Sequence, residues 1–210
     1  MQLKWLGQSS FEIKTDGLVI YIDPAYGEYP DKADVILISH FHYDHCSLET
    51  VRRIRKDDTT IISTKEVASQ IDECRAVQAG EEGLIGNITV TIIPAYNINR
   101  KGKETHSKED TIGFLINAEG KKIYYTSDTD FIPEMKDIKA DIVIIPVGGT
   151  NTMNAKEAAS AVKLIKPKTA VPIHYGKTEG TMDDALYFKE LVEEEKINVM
   201  ILKEDKWENI

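Results

Sequence analysis

The segment Ser39-His40-Phe41-His42-Tyr43-Asp44-His45-Cys46 decides the fold of this 210-residue chain. It directly follows Asp34-Val35-Ile36-Leu37-Ile38, an apolar and β-branched run that predicts a buried strand. Three of the chain's five histidines therefore lie at the carboxyl end of a strand, where open α/β sheets usually carry their chemistry. Residues two apart in an extended segment point the same way, so His40 and His42 can reach one site together.

This segment predicts a metal site, because imidazole and carboxylate groups are the usual protein ligands of zinc, manganese and iron. Asp44 and His45 follow as the chain turns, and their side chains can reach a second ligand position close to the first. The alternative is three unrelated histidines in a polar turn. Histidine is too scarce elsewhere in the chain for that alternative to be favoured.

The two other histidines and one aspartate also follow predicted strands. His106 lies in the long polar segment 95–110, Asp128 follows the strand predicted over Lys121–Thr126, and His174 ends the one predicted over Thr169–Ile173. A single histidine at a strand end is more often structural than a ligand. Because every histidine of the chain belongs to this set, a shared metal site is the better interpretation.

The remaining pattern predicts short strands in blocks that are separated by helices. Further strands are predicted over Leu3–Leu6, Ser10–Lys14, Leu18–Ile22, Thr59–Ser63, Ile88–Pro94, Thr111–Asn117, Ile142–Val147 and Val199–Leu202. Helices are predicted after the N-caps Ser47 and Asn154, over Lys65–Asp72, and over Asp183–Glu195 with Leu186, Leu191 and Val192 on the apolar face. Periodicity thus predicts helix-covered sheets, and the absence of a clear linker predicts one domain over residues 1–210.

Composition narrows the class of function. A net charge of −9 and a pI near 5.1 disfavour nucleic-acid partners, because phosphate contacts need clustered lysine and arginine. No apolar run is long enough to cross a membrane, and the first residues lack a secretory apolar core. With only Cys46 and Cys74 as cysteines, we expect a cytoplasmic protein that acts on a small-molecule substrate. The sequence leaves open whether the protein forms a homo-oligomer.

The motif His40-x-His42-x-Asp44-His45 after an apolar strand resembles the signature of the metallo-β-lactamase-fold hydrolase superfamily. In that family the motif is followed by a histidine, an aspartate and a histidine, in that order. Those three places are taken by His106, Asp128 and His174. The resemblance implies an α/β fold, a four-layer αββα sandwich of two mixed sheets flanked by helices. It also implies two divalent metal ions per chain, zinc first, with manganese or iron as alternatives.

The resemblance further divides the ligands into two groups with one bridging residue. The first ion would be bound by His40, His42 and His106, the second by Asp44, His45 and His174, and Asp128 would bridge both. The implied activity is hydrolysis of an ester, lactone or phosphodiester by hydroxide held on the metal pair. Asp44, Asp128 and His174 would be the catalytic residues, and the substrate would be small, with an anionic one left open.

Three further stretches are similar to one compact branch of the superfamily. Tyr124–Met135, Pro146–Thr150 and Pro172–Gly176 resemble the branch of ascorbate-6-phosphate lactonase and of phospholipase-D-type members. Ser127 stands where that branch usually has glycine, which implies an altered backbone geometry before Asp128.

The position of His106 departs from the family pattern. It lies ten residues beyond Tyr96, whereas many relatives carry their third histidine right after the strand. Asn97 is therefore the alternative ligand. We favour His106, because an amide is the weaker metal ligand.

Several residues near the motif have two interpretations each. Asp23 is either a support for a ligand histidine or a turn residue before proline. Gly148–Thr152 is either an anion cradle or, preferably, a tight turn. Tyr175 either donates to a developing oxyanion or packs, and Cys46 is either a thiolate metal ligand or, preferably, a small buried residue near a helix start. Contacts with an anionic substrate are the alternative to solvent exposure for Arg100, Lys101, Lys103 and Lys177.

Three competing functions share features of this sequence. A nuclease of the transfer-RNA 3′-processing type has the same histidine motif, but the acidic charge and the lack of a long basic insertion argue against it. A sulfur dioxygenase with one iron would not need seven ligands. A metal-binding regulatory protein without catalysis is disfavoured because Asp44 and Asp128 are both present.

Overall fold

The computed structural model describes residues 1–98 and 105–210. In chain order the elements are β1 (Gln2–Gly7), β2 (Ser10–Thr15), β3 (Leu18–Ile22), β4 (Val35–Leu37), α1 (Leu48–Ile54), β5 (Thr60–Ser63), α2 (Lys65–Ala68), β6 (Cys74–Ala76), β7 (Glu82–Ile85), β8 (Ile88–Pro94), β9 (Ile112–Ala118), β10 (Lys121–Tyr125), a 3-10 helix (Pro133–Asp137), β11 (Ile142–Pro146), α3 (Ala155–Ile165), β12 (Thr169–Ile173), α4 (Met182–Glu193), β13 (Asn198–Val199) and β14 (Trp207–Asn209). In this described part of the chain, no helix has the length and apolar character needed to cross a membrane.

The strands form two mixed sheets of the same design. The first sheet has the order β14-β1-β2-β3-β4-β5-β6, antiparallel from β14 to β3 and parallel from β3 to β6. The second has the order β13-β12-β11-β10-β9-β8-β7, antiparallel from β7 to β10 and parallel from β10 to β13. The parallel strands place their carboxyl ends, and the connections that follow them, at one edge of each sheet.

Two hydrophobic clusters hold four layers together. The larger cluster joins inward-facing residues of both sheets, such as Phe11 and Phe114, and continues to α3 and α4 through Val162 and Phe188. The smaller cluster lies on the other face of the first sheet and includes residues of α1 and α2. The order of layers is therefore helix, sheet, sheet, helix, which confirms the predicted αββα sandwich with two mixed sheets.

The helix caps behave as their sequences predict. Ser47 accepts a hydrogen bond from the backbone N–H of Thr50 at the start of α1. Asn154 and Glu157 form a capping box at the start of α3, in which each side chain accepts from the other residue's backbone N–H. These caps satisfy N–H groups that have no partner inside a helix.

Some element boundaries and one buried face differ from the sequence prediction. Helix α2 ends at Ala68 rather than Asp72, and the last strand of the second sheet is Asn198–Val199 rather than Val199–Leu202. In α4 the buried residues are Ala185, Phe188 and Val192, whereas Leu186 is half exposed, so its predicted place on the apolar face was wrong. The buried face of this helix includes the small residue Ala185, which a search for large apolar residues in the sequence overlooks.

Strands β6, β7 and β14 and the 3-10 helix were not predicted. The two outer strands of the first sheet, β6 and β14, are three residues each and carry polar residues without an alternating pattern. Their pairing is decided by the neighbouring strand rather than by their own sequence.

Candidate metal centre

The seven predicted ligands meet at the facing edges of the two sheets. Their ligand atoms fall into three groups within which all atoms lie within 4.8 Å of one another. These groups are His40, His42 and His106; His40, His45 and Asp128; and Asp44, His45 and His174. All seven are buried except His42, which is partly exposed. The structure therefore brings together every residue of the predicted set, and two of the three groups have the same members as the two predicted ones.

The first group consists of three imidazoles. His42 Nδ1 lies 3.0 Å from His40 Nε2 and 3.3 Å from His106 Nε2. Zinc–nitrogen bonds of about 2.0–2.1 Å in a tetrahedron place two ligand nitrogens roughly 3.3 Å apart. The spacing of these nitrogens fits a shared cation.

The second group adds a carboxylate. Asp44 Oδ2 lies 3.3 Å from His174 Nε2 and 3.9 Å from His45 Nε2. Both Nε2 atoms are buried and have no hydrogen-bond partner among the described residues. Buried polar atoms are rarely left unsatisfied. A divalent cation bound by these atoms would satisfy both, so the residues fit a second ion.

Asp128 lies between the two groups. Its Oδ1 is 3.4 Å from His45 Nε2, and its Oδ2 is 3.3 Å from His174 Nε2 and 3.5 Å from His106 Nε2. One carboxylate therefore faces histidines of both groups. This is the position that a bridging ligand requires.

Asp23 supports the second group from behind. Its Oδ2 lies 2.6 Å from His45 Nδ1 and accepts hydrogen bonds from the hydroxyls of Ser39 and Tyr125 at 2.7 and 2.6 Å. Its Oδ1 accepts from the Ser39 backbone N–H at 2.6 Å. A proton held on His45 Nδ1 leaves Nε2 free as a ligand. Of the two interpretations of Asp23, the geometry supports the role of orienting a ligand histidine.

Asn97 supports His106 instead of replacing it. Its Oδ1 is 2.9 Å from His106 Nδ1 and accepts from the His106 backbone N–H at 3.1 Å, while its amide donates to the backbone oxygen of Asn151 at 2.9 Å. His106 is thereby turned so that Nε2 faces His42 and Asp128. Of the two candidates for the third ligand, His106 is the one that faces the others.

Burial and mutual charge set the protonation of the ligands. Burial lowers the pKa of His40 and of His106. Burial also opposes the charged form of His45 and His174, but the neighbouring carboxylates together outweigh burial. Asp128 and Asp23 raise the pKa of His45 well above the usual value, and Asp128 and Asp44 raise the pKa of His174 to about 9. The same pairing outweighs burial at Asp128, whose pKa lies well below its usual value. A cation that binds the second group must displace protons, so its affinity falls as pH falls.

Gln8 is a site residue that sequence reasoning missed. It lies fully buried in the turn between β1 and β2, and its amide Nε2 donates to Asp44 Oδ2 at 3.4 Å and to Thr178 Oγ1 at 2.5 Å. The adjacent Ser9 hydroxyl donates to the Asp44 backbone oxygen. The segment reads as an ordinary turn, and no local signal ties it to a residue 36 positions away.

A small cavity of about 220 Å³ opens over the ligands. Beyond the metal ligands it is lined by Tyr43, Thr105, Asn151, Thr178 and Glu179. A larger open groove of about 620 Å³, lined in part by Lys14 and Glu119, contains none of the seven ligands. Because ligands of both groups line the small cavity, it is the candidate substrate site.

One segment and two residues that had two interpretations have structural roles. In the Gly148–Thr152 segment, the Gly149 N–H donates to the Met153 backbone oxygen at 3.2 Å and Gly148 forms an antiparallel bridge with Asn154, so the segment is a short closed loop. Tyr175 is buried against Trp5, with ring centroids 5.2 Å apart, and Cys46 is buried in the smaller core, where burial raises its pKa to about 12. Both side chains therefore serve packing.

Of the four basic residues considered for an anionic substrate, one lies in the described structure. Lys177 forms an ion pair with Glu204 at 3.0 Å. Outside the described residues are Arg100, Lys101 and Lys103.

The sequence of the chain identifies its family. Residues 2–174 match the sequence model of the beta-lactamase superfamily domain, and the chain belongs to this superfamily. It is 33% identical over 211 aligned positions to a UPF0173 metal-dependent hydrolase of Caldivirga maquilingensis, with 91% of this chain and 89% of that protein covered. A UPF0173 metal-dependent hydrolase of Methanopyrus kandleri is 29% identical over 222 positions, with 96% of each chain covered.

A solved structure shows the same fold. The crystal structure of a candidate metal-dependent hydrolase from Parabacteroides distasonis superposes with a TM-score of 0.89 at 29% identity, covering 97% of this chain and 93% of that one. The resemblance to the metallo-β-lactamase-fold superfamily is thus confirmed, while the lactonase-like branch stays a prediction.

Proposed function

We propose that this member of the superfamily is a metal-dependent hydrolase that holds two divalent cations and cleaves an ester, lactone or phosphodiester of a small substrate. Zinc is the proposed metal, with manganese or iron as alternatives, because histidine and carboxylate ligands accept all three. The proposed catalytic residues are Asp44, Asp128 and His174, and the proposed compartment is the cytoplasm.

One observation carries the proposal of two ions. Asp128 faces His106 of the first group and both His45 and His174 of the second, at 3.3–3.5 Å. One ion could be bound by either group of three ligands alone, whereas a carboxylate placed between the two groups can contact an ion in each. When bound, a pair of divalent ions lowers the pKa of a shared water toward about 7 and polarises the scissile oxygen.

The chain's own residues position these groups and shape the reaction site. Asp44 is fixed by Gln8 at its carboxylate and by Ser9 at its backbone oxygen, so one of its oxygens has a set direction. Asp128 is buried and its pKa is low, so it stays a carboxylate at neutral pH. The backbone of His174 is left-handed, with φ at 61°, which turns its imidazole from the strand end into the site.

The cavity supports a small, polar substrate. Its volume of about 220 Å³ suits a molecule of metabolite size, and hydroxyl, amide and carboxylate groups surround the ligands. None of the described residues that line it is a lysine or arginine. An anionic substrate would therefore rely on the metal ions for its charge pairing.

The test is elemental analysis of protein purified without chelator or affinity nickel, followed by hydrolysis assays. We expect about two zinc or manganese ions per chain and turnover of a lactone or phosphodiester with that metal. One iron per chain would instead favour the dioxygenase. No metal, with none regained on soaking, would overturn the proposal and favour a regulatory protein, whereas cleavage confined to RNA would favour the nuclease.

A further inference from the structure

The four histidines that present Nε2 to the centre differ in how their other ring nitrogen is held. Nδ1 of His45 lies 2.6 Å from Asp23, Nδ1 of His106 lies 2.9 Å from Asn97, and Nδ1 of His40 lies 3.0 Å from the Ser39 hydroxyl. Nδ1 of His174 is buried and has no hydrogen-bond partner among the described residues.

A carboxylate faces this unsatisfied nitrogen. Glu179 Oε2 lies 3.7 Å from His174 Nδ1, and Oε2 is also buried without a described hydrogen-bond partner. The distance is beyond a hydrogen bond, and a shift of less than 1 Å would close it. Two unsatisfied buried groups, one a donor and one an acceptor, face each other here.

The surrounding backbone holds Glu179 in place. Glu179 lies in the connection between β12 and α4, where the Gly176 N–H donates to the Gly180 backbone oxygen at 3.2 Å. Its other carboxylate oxygen faces the Asn151 amide at 3.5 Å. Asn151 is the residue whose backbone oxygen also faces His106 Nδ1, at 3.2 Å. The position of Glu179 is therefore coupled to the rest of the centre.

We propose that Glu179 is a positioning residue that accepts a hydrogen bond from His174 Nδ1 and thereby sets the affinity of the second metal group. This inference rests on the proposed metal-dependent function. A carboxylate partner keeps the proton on Nδ1, leaves the Nε2 lone pair free for the ion, and increases the basicity of the imidazole. The loop that carries Glu179 also lines the cavity, so it would join metal binding to the substrate site.

The experiment measures two zinc dissociation constants by competition with a chromophoric chelator, first for the wild-type protein and then for variants. For Glu179→Ala we expect the dissociation constant of one zinc ion to rise by about 10–100-fold, which is the usual effect of losing such a hydrogen-bond partner. Glu179→Gln keeps an acceptor but loses the charge, so its loss should be smaller. The binding of the other ion should be unchanged in both variants.

Glu204→Gln is the matched control. It removes the Lys177 ion pair that holds the same loop from outside the cavity, and it should leave both constants unchanged. Equal weakening of both ions in the Glu179 variants, or no weakening, would overturn the role of Glu179. If the wild-type protein bound no zinc, the proposed function itself would be wrong. The wild-type titration comes first, so this result is distinguished from a failure of the Glu179 proposal alone.

Discussion

The two sheets contribute to the metal centre in different ways. The first sheet delivers four of the seven ligands from one segment, His40 to His45, directly after β4. The second sheet delivers one ligand from each of three connections: His106 after β8, Asp128 after β10 and His174 after β12. A contiguous segment can place several ligands with one backbone turn, whereas dispersed ligands depend on the pairing of every strand between them.

The supports of the ligands show the same difference. The first-sheet histidines His40 and His45 are held by Ser39 and Asp23, both at strand ends of that sheet. Of the second-sheet histidines, His106 is held by the loop residue Asn97, whereas His174 Nδ1 faces Glu179 at 3.7 Å without a hydrogen bond. Tyr125 of β10 donates to Asp23 and joins the two halves of the site. Among the described residues, the Nδ1 atoms of His40 and His45 therefore have hydrogen-bond partners, whereas that of His174 has none.

The largest effect is expected where the two halves share a ligand. Asp128→Ala should abolish turnover and reduce the bound metal, because Asp128 faces histidines of both groups. The far-ultraviolet circular dichroism should be unchanged. Steady-state assays and elemental analysis check both expectations, with the exposed Asp137→Ala in the same connection as the control. Near-normal turnover of Asp128→Ala would show that Asp128 is neither the shared metal ligand nor a catalytic residue.

Removal of the metal should make stability depend on pH through the histidines of the second group, His45 and His174. The pKa of His174 is raised to about 9, because the Asp128 and Asp44 carboxylates together outweigh the effect of burial. A raised pKa in the folded state gives stability that is full below about 6.5 and is lost as the pH rises through the folded-state value. We expect the chelated protein to lose on the order of 2–3 kcal/mol of unfolding free energy between about pH 6.5 and 9.5.

Urea unfolding of chelated protein at those two pH values measures this loss. The metal-loaded protein should lose much less, because a ligating imidazole is neutral across the range. Chelated protein that became more stable at the higher pH would contradict the pairing of His174 with Asp128.

Asp23→Asn tests whether the residues that hold His45 and His106 act on different metal ions. It keeps the shape of the side chain but removes the charge that holds His45 Nδ1–H, so we expect about a 10–100-fold loss in affinity for one ion. Asn97→Ala is the matched change in the other half, since Asn97 holds His106. Competition titrations should show that the two variants weaken different ions. If both weakened the same ion, the division into two groups would be wrong.

The smallest effect is expected at Ser127, which precedes Asp128. Its φ is 58°, in the left-handed region that favours glycine, and its buried hydroxyl has no described hydrogen-bond partner. Ser127→Gly should raise the unfolding free energy by roughly 0.5 kcal/mol, because relief of strain exceeds the added chain entropy. Ser127→Ala removes the hydroxyl but keeps the strain. A glycine variant less stable than the alanine variant in urea would show that the backbone is not strained there.

Local sequence patterns were sufficient for much of the fold. Apolar, β-branched runs predicted the central strands, and the capping pair Asn154 and Glu157 predicted the start of α3. The motif His40 to His45 predicted ligands because its residues are adjacent in the chain. Short edge strands such as β6 and β14 could not be predicted, since their neighbours decide their pairing.

The sequence by itself determined which residues could be ligands, because ligand chemistry belongs to the side chain. The division into two groups came from the family resemblance, and the tertiary structure decided how the groups are held. Gln8 meets Asp44 across 36 residues, and Asn151 meets His106 across 45. The choice of His106 over Asn97 likewise depended on which side chain the fold turned inward. Hydrogen bonds over such separations leave no local pattern, because their partners become neighbours only when the two sheets pack together.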